Sequence, residues 1–231
     1  MCGRYTLTSP AKIIAEIFGV EEPIELAPHY NVCPGQDVAV VRTRHGDSDR
    51  VLDLLRWGLV PWFVKEPGYP AARMINARAE TAATSPAFRE ALRRRRCLVP
   101  ADGFYEWQAQ ASAAKRAPKQ PFFVRRGDGQ PIAFAGLWER WKGADGRRIE
   151  SCTLLTTTPN ELLRGIHDRM PVILPAGAWP LWLDRAVQDV ERIAPLLAPA
   201  PPQDFVASPV GSWVNDPKHD DAQCVAPVAE G

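Results

Sequence analysis

A cysteine directly behind the initiator methionine, in MCGRYTLTSP, is the first residue of this chain with chemistry of its own. Methionine is commonly removed before a residue as small as Cys, so the mature chain is expected to begin with an α-amine and a thiol on one residue. The unperturbed pKa values of these groups, about 7.7–8.0 and about 8.5, leave a fraction of each nucleophilic near neutral pH. A free cysteine is equally a small hydrophobe that cores bury, and position alone leaves both readings of Cys2 open.

Three other stretches carry polar residues with chemical uses. In PADGFYEWQ, Glu106 sits between Tyr105 and Trp107, and a carboxyl among aromatics has its pKa raised, which suits a general acid. An exposed strand position is the plainer reading. In GIHDRMPVIL, His167 stands at the threshold of an apolar run, as a proton-shuttling imidazole or as a hydrogen-bonded structural one. In MINARAET, Asn76, Arg78 and Glu80 alternate, so a strand there puts all three on one face, either a functional wall or a solvated edge. The loop RWGLVPWFVKEPGYP adds Trp57, Trp62 and Phe63 among Pro61, Pro67 and Pro70. Aromatics beside arginines suit single-stranded nucleic acid, whose bases stack while Arg holds phosphate; the alternative is that these rings are core.

These residues need a scaffold, and 231 residues are enough for one domain with a sizeable core. Apolar residues at 45% and charged residues at 24% are ordinary for a globular chain, and no apolar run approaches the roughly 18–20 residues of a membrane span. The N-terminus lacks the apolar stretch of a signal peptide. Five widely spaced cysteines (Cys2, Cys33, Cys97, Cys152, Cys224) without a C-x-x-C pair indicate neither a disulfide framework nor a zinc site, and a cytoplasmic location with reduced thiols is expected. The net charge of +1 hides a basic segment: residues 73–96 hold seven Arg against two Glu, while 203–231 hold five acids against one Lys.

The pattern predicts an α+β fold, a single domain over 1–231 built mainly on an antiparallel, barrel-like sheet with flanking short helices. Ser9-Pro10 caps a short helix whose apolar face is Ile13, Ile14, Ile17 and Phe18 and whose stop is Gly19. Two hairpins are expected, Asp37–Arg44 with Val51–Gly58 around HGDSD, and Phe122–Arg126 with Ile132–Glu139 around RGDGQP. Glu150–Thr157 and Met170–Leu174 read as buried strands and Phe205–Ser208 as a late one. Ser85-Pro86 opens a helix ending in ALRRRR, where Arg favours the negative end of the dipole. Pro159-Asn160 opens a turn or short helix, ELLRGI, that delivers His167. Trp179–Leu183 and Val187–Leu197 suggest further helix, and 215–231 reads as a loosely ordered tail.

Taken in order and spacing, MCGRYTL, YNVCP, RWGLVPWF, INARAET, CLVPADGFYEW, AGLWE, TTTPN and IHDRMPVIL resemble the SOS-response-associated peptidase (SRAP) family of abasic-site-processing proteins over roughly residues 2–215. The resemblance implies an N-terminal cysteine that reacts with abasic sites in single-stranded DNA and forms a stable crosslink, a thiazolidine made from the aldehyde of the ring-opened sugar. It assigns Cys2, Asn76, Glu106 and His167 as the catalytic set, Arg4, Arg78 and Arg169 as DNA contacts, and Trp62 and Phe63 as an aromatic wedge. It implies no metal or organic cofactor, a monomer, and single-stranded abasic DNA as the partner, with weak lyase activity as a side reaction. Two rivals remain at this level: an N-terminal-nucleophile peptidase whose Cys2 thiolate attacks a peptide carbonyl, and a non-covalent single-strand binding module.

Overall fold

The computed structural model describes residues 2–22, 24–43, 49–65, 74–110 and 118–228. In chain order the strands are β1 (Tyr5–Leu7), β2 (His29–Val32), β3 (Asp37–Thr43), β4 (Arg50–Trp57), β5 (Asn76–Arg78), β6 (Arg96–Ala101), β7 (Gly103–Gln108), β8 (Gln120–Arg126), β9 (Ile132–Lys142), β10 (Arg148–Thr157), β11 (Met170–Pro171) and β12 (Phe205–Pro209). The helices are α1 (Ala11–Phe18), α2 (Ala79–Ala82), α3 (Arg89–Arg94) and α4 (Trp179–Leu183), with several 3-10 turns after α4.

Five strands close on themselves. β3 pairs with β4 and β6, β6 with β9, β9 with β10, and β10 returns to β4 in parallel. The closed ring leaves no free edge among its members, and it buries Val40, Leu55, Leu98, Phe134 and Leu154; each such side chain contributes about 1.5–3 kcal/mol relative to exposure. A second, antiparallel sheet has the order β12-β8-β7-β1-β2. The α+β class, the single domain and the mainly antiparallel barrel with short helices all agree with the expectation from sequence.

The two sheets are joined by one continuous course. Only Asp102 separates β6 from β7, and β9 and β8 run antiparallel beside them in a single line, Arg96 opposite Leu137 through Ala101 opposite Ile132, then Gly103 opposite Arg125 through Gln108 opposite Gln120. The expected hairpin of Phe122–Arg126 with Ile132–Glu139 is therefore not formed. RGDGQP loops out between two collinear strands, because each finds its partner on β6–β7 instead of on the other.

Other local differences have equally specific causes. Ser9 does not cap α1; its hydroxyl donates to Asp102 at 2.6 Å, and Gly19 ends the helix in the left-handed region at φ 66°, as expected. MINARAET is strand only over Asn76–Arg78, so Glu80 lies in α2 and not on the Asn76 and Arg78 face. In RRRR, Arg93 and Arg94 finish α3, but Arg95 pairs with Glu139 at 2.7 Å, and Arg96 is buried in β6. Its guanidinium donates to the carbonyls of Leu92, Arg93, Trp182 and Asp184, closing the ends of α3 and α4 at once. Burial lowers its pKa to about 10, so it stays charged at neutral pH.

Met170–Leu174 is strand only at Met170–Pro171, although the whole run is buried, and Val187–Leu197 forms 3-10 turns at Val190–Arg192 and Ala194–Leu197 in place of a regular helix. The tail expected to be loose is docked through 228. Asn31 Nδ2 donates to the carbonyls of Val214, Asp216 and His219, Asp220 accepts from the amides of Tyr30 and Asn31, and Cys224 is buried. A polar sequence conceals this order because each bond pairs one side chain, Asn31 or Asp220, with backbone groups of the other segment. The HGDSD turn except its last residue, with Arg44, Pro67, Pro70 and Arg73, lies outside the described residues.

Gly103 opens β7 where a Cβ would lie 2.6 Å from both the Phe123 ring and the Val124 carbonyl oxygen. A main-chain atom cannot rotate away, so Gly103→Ala is expected to destabilise the protein by about 1–3 kcal/mol through overpacking. Thermal unfolding checks this; an unchanged midpoint would show that the approach is relieved elsewhere.

Candidate active site

Backbone pairing decides where the N-terminus lies. Tyr105 N–H donates to Arg4 O at 3.0 Å and Asp102 N–H to Thr6 O at 2.8 Å, so the chain before Tyr5 runs antiparallel along β7 toward Glu106. Cys2 is fully buried there, and its thiol pKa is pushed well up, first by burial and then by the charge of Glu106. From the barrel side, the parallel pairing of β5 with β10 sets Asn76 opposite Leu154, and Asn76 Nδ2 donates to the Cys2 carbonyl at 2.8 Å. Asn76 Oδ1 is buried with no hydrogen-bond partner among the described residues.

His167 arrives from a third direction. Asn160 Oδ1 accepts the Leu163 amide at 3.1 Å, its Nδ2 donates to Ala200 O at 2.9 Å, and the His167 amide donates to Leu163 O at 2.9 Å. ELLRGI is thus a pinned turn, and it sets His167 Nε2 3.7 Å from Glu106 Oε2. The Arg169 amide donates to His167 Nδ1 at 3.0 Å, while Asp168 Oδ1 stands 2.9 Å from the same nitrogen. One ring nitrogen offers one in-plane position. In the neutral ring the fixed backbone donor keeps the lone pair on Nδ1 and the proton on Nε2, toward Glu106; the protonated ring would pair with Asp168 instead.

The electrostatics of the pair follow from burial. Glu106 is 1% exposed, and desolvation pushes its pKa up to about 7 against the opposing charge of the N-terminal amine, with Asp168 adding a smaller rise. Burial also lowers the pKa of His167. Near neutral pH Glu106 is close to half protonated and His167 leans toward its neutral form, which makes them a proton donor and acceptor set and not a fixed ion pair.

The structure treats the arginines unequally. Arg78 is exposed at the end of β5. Arg4 Nη1 donates to Asn31 Oδ1 and to Val214 O, both at 2.9 Å. Arg169 is held by Glu80 at 2.7 and 2.8 Å and by the Thr156 carbonyl at 2.6 Å. Trp62 and Phe63 are 60% and 50% exposed and meet edge to face with centroids 5.8 Å apart. Trp57, from the same motif, is fully buried, its Nε1 donating to Ile75 O at 2.9 Å beside Asn76. Among the described residues no three His, Cys, Asp or Glu side chains are grouped to hold a metal ion, and no helix is long and apolar enough to cross a membrane.

Cys2, Asn76, Glu106 and His167 are therefore brought together from four separate parts of the chain. Sequence reasoning missed the Glu80–Arg169 pair. Glu80 lies inside INARAET, but its partner is 89 positions away, and no local pattern signals a contact of that separation.

Comparison with known proteins places this geometry in context. The chain is 40% identical over 230 residues to the abasic site processing protein YoqW of Bacillus subtilis, covering 97% of this chain and 99% of that protein. It is 33% identical over 241 residues to the abasic site processing protein YedK of Escherichia coli, covering 99% and 100%. A crystal structure of a Bacteroides thetaiotaomicron protein superposes with a TM-score of 0.86 at 24% identity, covering 98% of this chain and all of that one, and so shares the fold. A Bordetella bronchiseptica protein superposes with a TM-score of 0.75 at 30% identity, covering 91% and 100%. The pattern of the SOS response associated peptidase (SRAP) family matches residues 1–217, and this chain belongs to that family.

Proposed function

We propose that this protein captures abasic sites in single-stranded DNA as a covalent crosslink through Cys2, shielding the lesion during a DNA damage response. The observation that carries the reading is the 2.8 Å bond from Asn76 to the Cys2 carbonyl beside the Glu106–His167 pair. It holds the main chain of the reacting residue where a proton donor and acceptor can serve it. The YoqW and YedK names support the substrate class.

Removal of Met1 frees the α-amine of Cys2, the residue whose carbonyl Asn76 holds. The ring-opened abasic sugar carries an aldehyde. The amine nitrogen bonds to its carbon, and the carbinolamine loses its oxygen as water, leaving an imine. The thiol sulfur then bonds to the imine carbon, the thiol proton passes to nitrogen, and a five-membered thiazolidine closes. One water leaves overall and no oxidant is needed. Glu106, half protonated near pH 7, protonates the sugar oxygen during opening and the departing hydroxyl; His167 shuttles the proton from Nε2. The imine also permits β-elimination of the DNA, a minor lyase reaction. A thiol that burial keeps protonated supports amine-first addition over thiolate attack on a peptide carbonyl. Arg78, with Arg4 and Arg169, contacts phosphate, and Trp62 and Phe63 stack on bases.

Three expectations test this reading. On abasic single-stranded DNA, Cys2→Ala yields no adduct that survives a denaturing gel, Cys2→Ser at most a labile imine, and the wild-type adduct weighs the sum of its parts less one water; an equal adduct from a protein with an uncleaved N-terminal tag would sink the mechanism. The wild-type single-turnover rate rises with pH as the amine deprotonates and falls above about 7 as Glu106 loses its proton, so Glu106→Gln is slower by about a hundredfold and loses the alkaline fall. An unchanged profile would remove Glu106 from the reaction. Arg78→Ala weakens binding at every sequence and lowers the slope of log affinity against log salt by about 0.7, the share of one single-strand phosphate contact.

A further inference from the structure

Two segments that share no local sequence meet at a bidentate ion pair. Glu80 stands in α2, directly after the strand that carries Asn76, and Arg169 stands two residues after His167. Arg169 Nη1 and Nη2 donate to the two Glu80 oxygens at 2.7 and 2.8 Å, and Nη2 also reaches the Thr156 carbonyl at 2.6 Å. The Arg169 side chain is 13% exposed, and its Nε is buried without a partner among the described residues, so the guanidinium is held from the protein side. A bidentate fork of this kind fixes orientation as well as charge. The main chain of Arg169 is in turn the donor to His167 Nδ1 at 3.0 Å. Parallel pairing of β5 with β10 aligns Arg78 with Thr156, and Thr157 is aligned with Met170, so the same few residues join the Asn76 strand to the His167 segment.

We infer that Glu80 is a positioning residue: through Arg169 it holds the backbone N–H that keeps the neutral His167 ring in its Nε2–H form, facing Glu106. Without that clamp, Asp168, 2.9 Å from Nδ1, draws the proton to the opposite side of the ring. The Arg169 fork lowers the pKa of Glu80, which keeps the clamp charged through the neutral range. This inference rests on the capture reaction above for its rate consequence, but the ring's protonation pattern is independent of any DNA.

The experiment uses the full chain with nitrogen-15 imidazoles, four in all, the His167 signals being assigned by loss in His167→Gln. At a pH where the ring is neutral, the two-bond proton–nitrogen pattern distinguishes Nδ1–H from Nε2–H. Wild type is expected in the Nε2–H form, Glu80→Ala in a mixture with Nδ1–H, and Glu80→Gln, which keeps an acceptor for Arg169, between them. Single-turnover crosslinking, measured with DNA saturating for each variant so that any change in phosphate contact by the released Arg169 does not enter the rate, should fall about tenfold in Glu80→Ala, a part of the hundredfold or more that acid–base assistance typically contributes. If Glu80→Ala does not fold, Glu80→Gln carries the comparison. Unchanged protonation overturns the inference, whether or not the rate falls. So does tighter DNA binding at an unchanged rate, which would make Glu80 a competitor for phosphate. Wild type that forms no adduct would refute the capture reaction, and the ring pattern would still decide the role of Glu80.

Discussion

Two main-chain hydrogen bonds, Tyr105 N–H to Arg4 O and Asp102 N–H to Thr6 O, hold the start of the chain on β7, and the rest of the site is arranged around that attachment. Chain ends fray unless they are tied down, and a reacting N-terminal residue on a frayed end would lose the advantage of orientation. Here the tie is reinforced from both faces. The Asp102 carboxylate accepts from the amides and hydroxyls of Thr8 and Ser9, turning the chain from β1 into α1. The Tyr5 ring lies in the core against Trp57 at 5.4 Å and Phe134 at 5.8 Å, so withdrawing the strand would open the barrel's packing.

Against this rigid frame the polar residues of the site sit in an unfavourable place. A carboxyl and an imidazole beside a buried thiol lose hydration that nothing in a purely apolar core would replace. The protein meets that cost by letting the groups approach their neutral forms, which is also the state in which they exchange protons most readily near neutral pH. A different solution operates elsewhere. Arg42, with a side chain 12% exposed, keeps its charge through Asp53 and Glu150, both at 2.7 Å, with its guanidinium over the Trp138 ring. Paired charges of that kind hold strands together, whereas burial moves Glu106 and His167 toward protonation states that can change near neutral pH.

Much of the frame was legible in the sequence because its signals are local. Period-two runs, a glycine stop after α1 and the β3–β4 pairing depend on neighbours within a few residues, and they appear as predicted. The second hairpin failed because the turn RGDGQP carries the same local signal whether its strands fold back or continue in line; the choice belongs to β6–β7, which offers one uninterrupted partner to both. The ordered tail and the bonds of Arg96 were hidden for a related reason, since their partners are backbone carbonyls and amides, which every sequence has.

The sequence alone determined which residues were available for chemistry: a cysteine one position from the start, a carboxyl among aromatics, and an asparagine and a histidine in ordered motifs, together with the family they mark. It also determined the α+β class, because hydrophobic periodicity is a property of the chain. Only the tertiary structure decided that Asn76 grips Cys2 by its carbonyl, that His167 stands 3.7 Å from Glu106, and that Glu80 belongs to Arg169 and not to the face of Asn76. Those are relations between segments tens of residues apart. They are set by barrel closure and strand register, which place side chains to within ångströms, whereas local propensity acts only over a turn or two of chain.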